Sequence, residues 1–418
     1  MNQAIESLKN EVYKGDNAQL ICNLIIAGAV AVKSSDIHIE PLSNFVRIRY
    51  RVDGVLTEII EYQLFLHSQI VARYKILANL RIDESRMPQD GRISTTIDDK
   101  SLDLRVSTLP TVNGEKIVMR IVDKSKKIPD LDVLGIEGIN GVRLKKAISL
   151  PNGIILTSGP TGSGKSTTLY SCLTRLNGPD VNIMTLEDPV ENTIDGVSQS
   201  QMFPDIGYTF ASGLRTALRQ DPDIIMVGEI RDKETINIAI EASLTGHLVF
   251  STIHTNSAAE TLTRILNMGI PAYLLPASIN AIIAQRLVRK LCPHCKVAKK
   301  PEELDPKMQT SLRKAIERTA KSELMERVGA EKLAAPVFYE AAGCEHCNQT
   351  GYAGRLGLYE IMEITTPIKE AIIRGDSSVA INEAAIIAGM ISLEQDGIMK
   401  ALCGYTSLSE VYAAAKEN

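Results

Sequence analysis

The chain has 418 residues, 44% of them apolar and 23% charged, a globular composition too long for one ordinary domain. A net charge of −4, 4% aromatic residues and no tryptophan argue against nucleic acid as the main partner, which calls for a basic surface and stacking rings. No secretory leader is legible, and the first apolar run, residues 20–32, is short and interrupted by Asn23, so it reads as a core helix and not a membrane span. The chain is expected to be cytosolic, or held at a membrane by a partner.

Apolar spacing predicts a helix over 16–33. In 45–52 the pattern changes to period two: Val46, Ile48, Tyr50 and Val52 alternate with Arg47, Arg49 and Arg51, as on a half-buried strand. Asp53-Gly54 then supplies a tight hairpin turn. A helical segment at 64–80 precedes strands at 92–97, 102–107 and 115–122, with turns at Asp98-Asp99 and Asn113-Gly114. Together these predict a small α+β domain over 1–122. The charged stretch that follows reads as a linker, 123–133.

Beyond it, apolar strand runs at 154–157, 182–186, 224–227 and 248–253 alternate with helical patterns. That alternation is the mark of a parallel α/β sheet, predicted over 134–285. Two C-x-x-C pairs then bracket a Lys- and Glu-rich helical stretch (286–358), and a helical tail closes the chain (359–418). Ser407 and Glu410 have the spacing of a capping box for its last helix. Cys22, Cys172 and Cys403 lie in apolar helical segments and read as small core residues.

The strongest chemical signal is Gly159-Pro160-Thr161-Gly162-Ser163-Gly164-Lys165-Ser166, followed by Thr167. It matches G-x-x-x-x-G-K-[ST] between a strand and a helix. Glycines let the backbone wrap a phosphate chain, so that N–H groups and a helix N-terminus face its charge. Lys165 would reach the β- and γ-phosphates of ATP, and the Ser166 hydroxyl would help hold Mg²⁺. Neighbouring strands should then end in carboxylates, and Glu187-Asp188 and Glu229 do so. Each is also readable as a plain strand-end or cap residue. His254 ends another strand, where it would sense the γ-phosphate or serve the fold alone.

Cys292, Cys295, Cys344 and Cys347 have the spacing of a tetrahedral zinc site, with free thiols or a redox pair as the alternatives. The basic run 286–300 reads as a solvated face beside that site, or as a contact for anionic lipid or an acidic partner.

The combination of motifs resembles the type II secretion and type IV pilus assembly ATPases over nearly the whole chain. Ser35-Asp36-Ile37-His38-Ile39-Glu40-Pro41 and Met119-Arg120 resemble the family's PAS-like domain. Thr185-Leu186-Glu187-Asp188-Pro189 resembles its aspartate box, Arg219 through Asp232 its Walker B region, and His247 through Asn256 its histidine box. Gly343 through Arg355 resembles its cysteine motif.

The resemblance implies a RecA-like core preceded by a PAS-like domain, in a homo-hexameric ring that hydrolyses ATP with Mg²⁺. It implies that Glu187 polarises the attacking water and Glu229 supports Mg²⁺ and water placement. Arg92, Arg105 and Arg120 occupy the motifs whose arginines reach the γ-phosphate, and which of them does so stays open. An inner-membrane platform protein is the implied partner, reached from the cytoplasmic face. Larger members carry a further N-terminal docking domain, so this sequence reads as a short member or a truncated one. The cysteine module favours assembly or secretion over pilus retraction. A DNA translocase and a nucleotide-switched scaffold are the readings from other classes.

Overall fold

The computed structural model describes residues 3–15, 17–97, 99–123, 125 and 127–416. The chain divides into two compact units, 1–127 and 128–418.

The first unit is a six-stranded antiparallel sheet of β1 (Asp36–Pro41), β2 (Val46–Val52), β3 (Val55–Tyr62), β4 (Gln89–Ile97), β5 (Lys100–Thr111) and β6 (Gly114–Asp123), in the order β3-β2-β1-β6-β5-β4. Helices Gln3–Lys14, Ala18–Ala31 and His67–Leu77 supply its apolar packing. The alternation in β2 sends Val46, Ile48 and Tyr50 into the core with Ile37 and Ile39. The Tyr50 hydroxyl donates to the Ile25 carbonyl (2.6 Å), which satisfies its one buried polar atom.

Asp53 has a left-handed φ of 47° at the predicted hairpin, and Asp99 a φ of 61°; its neighbour Asp98 lies outside the described residues, as does Asp16 at the start of the first predicted helix. The strand β1 and the helix Gln3–Lys14 were not expected, although Ile37 and Ile39 alternate with His38 and Glu40, and Ile5, Leu8 and Val12 recur at helical spacing. The predicted 64–80 helix is shorter, a 3-10 turn (Leu64–Leu66) leading into His67–Leu77.

The second unit is built on β7 (Gly153–Ser158), β8 (Ile183–Glu187), β9 (Ser198–Gln201), β10 (Ile224–Val227), β11 (Leu248–Ile253), β12 (Ile279–Leu291) and β15 (Tyr352–Glu363), in the order β15-β12-β7-β11-β10-β8-β9. All neighbours are parallel except β15 on β12. Apolar clusters cover the sheet, one centred on Ile225, Val249 and Ile282 and the other on Ile155, Phe250 and Ile283. Full burial on both faces explains why these strands read as unbroken apolar runs. The four predicted core strands appear within a residue of their expected limits.

The division expected at 285/286 falls inside β12, and β15 closes the same sheet. The cysteine-flanked segment is therefore continuous with the core sheet through β12 and β15. The last part of the expected linker also belongs here. Leu131 is buried, and Pro129 accepts a hydrogen bond from the Ser171 hydroxyl (2.7 Å).

Between the cysteine pairs lie a two-stranded sheet, β13 (Val297–Lys299) with β14 (Phe338–Glu340), and helices Pro306–Arg318, Lys321–Arg327 and Ala330–Ala334. Leu312, Leu324 and Phe338 pack against Ile398, Met399 and Val411 of the tail. Half of the expected capping box forms: the Ser407 hydroxyl accepts from the Glu410 N–H (3.4 Å), whereas the Glu410 carboxylate accepts from the Arg289 backbone N–H (3.0 Å) and guanidinium (2.6 Å). Among the described residues no helix is long and apolar enough to cross a membrane.

Candidate nucleotide site and cysteine cluster

The sheet order places β7, β11, β10 and β8 side by side and parallel, so their C-terminal ends form one edge. Residues 159–166 leave β7, His254 follows β11, Glu229 lies two residues past β10, and Glu187 ends β8. Four motifs spread over about 100 residues thereby meet where doubly wound sheets bind ligands.

The glycines serve the turn. Gly159, Gly162 and Gly164 have φ of 143°, 80° and 89°, values that side chains rarely tolerate. A Cβ on Gly159 would lie 2.5 Å from the Gln285 carbonyl oxygen. The helix Lys165–Leu176 begins directly after Gly164, with Ser166 and Thr167 exposed in its first turn. Pro160, Thr161 and Ser163 complete the loop, and the Lys165 ammonium folds onto it, donating to the Gly159 (2.8 Å) and Pro160 (3.0 Å) carbonyls. Burial pushes its pKa down to about 8, with Arg286 adding to the fall and Glu229 opposing it.

Glu187 is 4% exposed. Its carboxylate accepts from the Tyr170 hydroxyl, from Thr185 Oγ1 (2.5 Å) and from Gln199 Nε2 (3.0 Å). Burial, and the neighbouring Glu187 charge, push the Tyr170 hydroxyl up, so it stays a donor. Glu229 pairs with Arg231 (2.6 Å) and lies 3.6 Å from His254 Nε2. Burial, reinforced by Lys165, lowers the His254 pKa and keeps the imidazole neutral at pH 7. Asp188 is exposed beside Arg231, while Asp232 caps the next helix through Thr235 N–H (2.8 Å). Mg²⁺ takes one or two protein oxygens beside substrate phosphates. The exposed Ser166 hydroxyl and the Glu229 carboxylate near Lys165 are oxygen donors of that kind.

The sequence reading missed Tyr170, Gln199, Arg231, Gln285 and Arg286 as site residues. Arg286 was placed in a solvated basic run, yet it is 3% exposed and donates to the Asn256 backbone (3.1 Å) and side-chain (3.2 Å) oxygens. Elsewhere in that run Arg289 stacks on Tyr352 and Lys296 lies over Tyr339. Only the position of β12 beside β7 could have pointed to Gln285 and Arg286.

In the first unit Arg92, Arg105 and Arg120 stand in register on β4, β5 and β6, and the row continues through Asp36 to Arg51. Arg120 bonds Asp36 (3.0 Å) and Arg92 lies 3.4 Å from Asp103. Like charges directly opposed on neighbouring strands repel, and Asp36 and Asp103 lie among these three arginines.

Cys292, Cys295, Cys344 and Cys347 converge, with all four sulfurs within 4.8 Å of one another. Neighbouring sulfurs lie 3.7–3.8 Å apart. Four thiolates at about 2.3 Å from one Zn²⁺ in a tetrahedron stand about 3.8 Å apart, so the cluster fits that ion. Backbone N–H groups of Cys344 (3.2 Å) and Gly351 (3.1 Å) point at the Cys347 sulfur. Although burial opposes it, they and the neighbouring thiols draw the Cys347 thiol down, whereas burial and the same sulfur contacts push Cys295 up. His294 and His346, inside the two pairs, stack on each other and are not ligands of the cluster.

Known proteins resemble this chain over nearly its whole length. The family described as type II/IV secretion system protein matches residues 13–413. The type IV pilus assembly ATPase PilB of Myxococcus xanthus is 45% identical over 97% of this chain and 69% of its own length. The type II secretion system protein E of Dickeya dadantii is 45% identical over 96% and 77%. In fold, the ATPase DotB of Legionella pneumophila superposes with a TM-score of 0.67 at 22% identity, covering 96% of each chain. The pilus retraction motor PilT with bound ADP superposes at 0.58 and 24% identity, covering 94% of this chain and 97% of its own. With the phosphate loop and the strand-end carboxylates on one sheet edge, these matches make the chain an ATPase belonging to the type II/IV secretion system protein family.

Proposed function

We propose that this ATPase is the motor that powers assembly of a type IV pilus or of the pseudopilus of a type II secretion machine. The observation that supports it most is the phosphate loop, Glu187, Glu229 and His254 on four adjacent parallel strand ends, in a chain 45% identical to pilus-assembly and secretion ATPases.

In this reading the second unit is a RecA-like core and the first a PAS-like domain, six chains form the ring, and the partner is an inner-membrane platform protein met at the cytoplasmic face. Lys165 exchanges its two loop carbonyls for the β- and γ-phosphates, while Ser166 and Glu229 are the Mg²⁺ donors. Mg²⁺ supplies charge neutralisation on the phosphates. Glu187, pinned by three donors, orients the water that attacks the γ-phosphorus as the bond to the ADP oxygen breaks. One of Arg92, Arg105 and Arg120 would supply further countercharge to the γ-phosphate. The four cysteines hold a structural Zn²⁺, which ties the start of the helical insert to β12 and β15.

The test is a pull-down from native membranes with tagged Glu187→Gln held in ATP. Recovery of a polytopic membrane protein together with pilin-like subunits is the expected result. Recovery of nucleic acid, with DNA-stimulated turnover, would replace the reading with a translocase. Association only with a disassembling pilus would make it a retraction motor.

A further inference from the structure

We infer that Gln285 on β12 is a positioning residue for nucleotide binding, one that locks the Ser163–Gly164 peptide of the phosphate loop in its binding orientation. The inference rests on the ATPase reading and adds a residue that lies outside every phosphate-loop or strand-end motif.

Gln285 is 1% exposed and sits beside the loop because β12 pairs with β7. Its amide spans the base of the loop. Nε2 donates to the Ser163 carbonyl (2.6 Å), and Oε1 accepts from the Thr168 hydroxyl (2.8 Å) on the first turns of the following helix. The Ser163 carbonyl can only accept, so it fixes Nε2 as the end of the amide that faces the loop, and Thr168 holds the other end.

The consequence follows from peptide geometry. The Ser163 carbonyl and the Gly164 N–H belong to one planar trans peptide, so they point in opposite directions. Gly164 has a φ of 89° and no side chain, so this peptide meets little steric resistance to turning over. With the carbonyl drawn toward Gln285, the Gly164 N–H is directed away from β12, to the side on which the loop wraps a phosphate. If the peptide reversed, a carbonyl oxygen would face the phosphate charge. The contact is also tight sterically: a Cβ on Gly164 would lie 3.1 Å from Nε2.

An N–H held in place before substrate arrives contributes equally to the bound substrate and the transition state. Losing it should therefore raise KM and leave kcat nearly unchanged. Gln285→Met keeps the volume and removes both bonds. Its Kd for ADP and KM for ATP should rise together by roughly tenfold, with kcat at saturation within about twofold of the parent. Gln285→Glu keeps the Thr168 contact but sets a carboxylate oxygen against the Ser163 carbonyl, and should be worse than Gln285→Met on both constants. Inhibition by inorganic pyrophosphate should weaken in parallel, because the effect lies at the phosphates.

Thr168→Val leaves β12 intact and removes the amide's second anchor, together with a contact to the Tyr359 hydroxyl. It should shift the same constants by roughly threefold, and it carries the test if the Gln285 variants do not fold. A folded Gln285→Met chain with unchanged ADP affinity, or one that loses kcat at constant KM, overturns the inference. An unsubstituted chain that fails to turn over ATP would overturn the ATPase reading instead.

Discussion

Lys165 offers a quantitative test of the site. Its ammonium is removed from water and rests on two carbonyls, and burial lowers its pKa to about 8. Phosphate oxygens brought against it by ADP would return the group to full protonation, so binding must take up the missing proton. With a starting pKa of about 8, uptake should be about 0.1 proton at pH 7, 0.5 at pH 8 and 0.9 at pH 9, and the apparent Kd should be about tenfold weaker at pH 9 than at pH 7. The nucleotide's own terminal phosphate titrates at about pH 6 to 7, so the uptake between pH 8 and 9 reports on Lys165.

Titration calorimetry of ADP binding in buffers of different ionisation enthalpy measures the uptake directly. Arg286→Met removes a repelling charge and should move the curve to higher pH, whereas Glu229→Gln removes a supporting one and should move it lower. The same shift affects stability. The unfolded chain holds the proton up to about pH 10.5 and the folded chain only to about 8, so the penalty is complete below pH 8 and fades as pH rises through that window. An ADP affinity that is flat from pH 7 to 9 with no proton uptake would refute the argument.

Glu187→Gln should lower kcat by about 10²- to 10⁴-fold while leaving ADP affinity unchanged, measured by phosphate release and calorimetry; substantial hydrolysis would remove Glu187 from its assigned role. Asp396 accepts from Arg327 (2.7 Å), Lys400 (2.7 Å) and the Tyr359 N–H (2.9 Å), with both cations almost fully buried. Asp396→Ala should therefore cost about 3–5 kcal/mol in urea unfolding followed by far-UV circular dichroism, because buried Lys400 loses its carboxylate and buried Arg327 keeps only the longer contacts to Glu137 and Glu323 (3.6 Å). The triple change Asp396→Leu, Arg327→Met and Lys400→Met should recover most of that loss. Elemental analysis should find one zinc per chain, and Cys347→Ser should lose it; a clean parent preparation with no zinc would end the metal assignment.

Much of the site was legible in the sequence because its chemistry is local. The phosphate loop needs glycines at fixed spacing and a lysine at the next helix start, so 159–166 announced a strand, a turn and a helix together. Glu187 and Glu229 were found by their place just after apolar runs, and the four cysteines by their paired spacing. The strands 154–157, 224–227 and 248–253 were clear because a parallel sheet buried on both faces leaves only apolar side chains.

Tertiary structure decided the rest. The segment 279–291 holds an apolar run that fits a helix or a strand, and only its pairing with β7 and β15 makes it β12. That pairing takes Arg286 out of a supposed solvated face and brings Gln285 under the phosphate loop. Tyr170 is one more aromatic on a helix until the β7 and β8 order sets it against Glu187. Likewise Arg92, Arg105 and Arg120 are separate strand residues in sequence, and it is the register of β4, β5 and β6 that lines them up. Spacing along a chain encodes which groups one short segment can present. Which segments become neighbours depends on strand pairing between distant parts, and no local pattern carries that information.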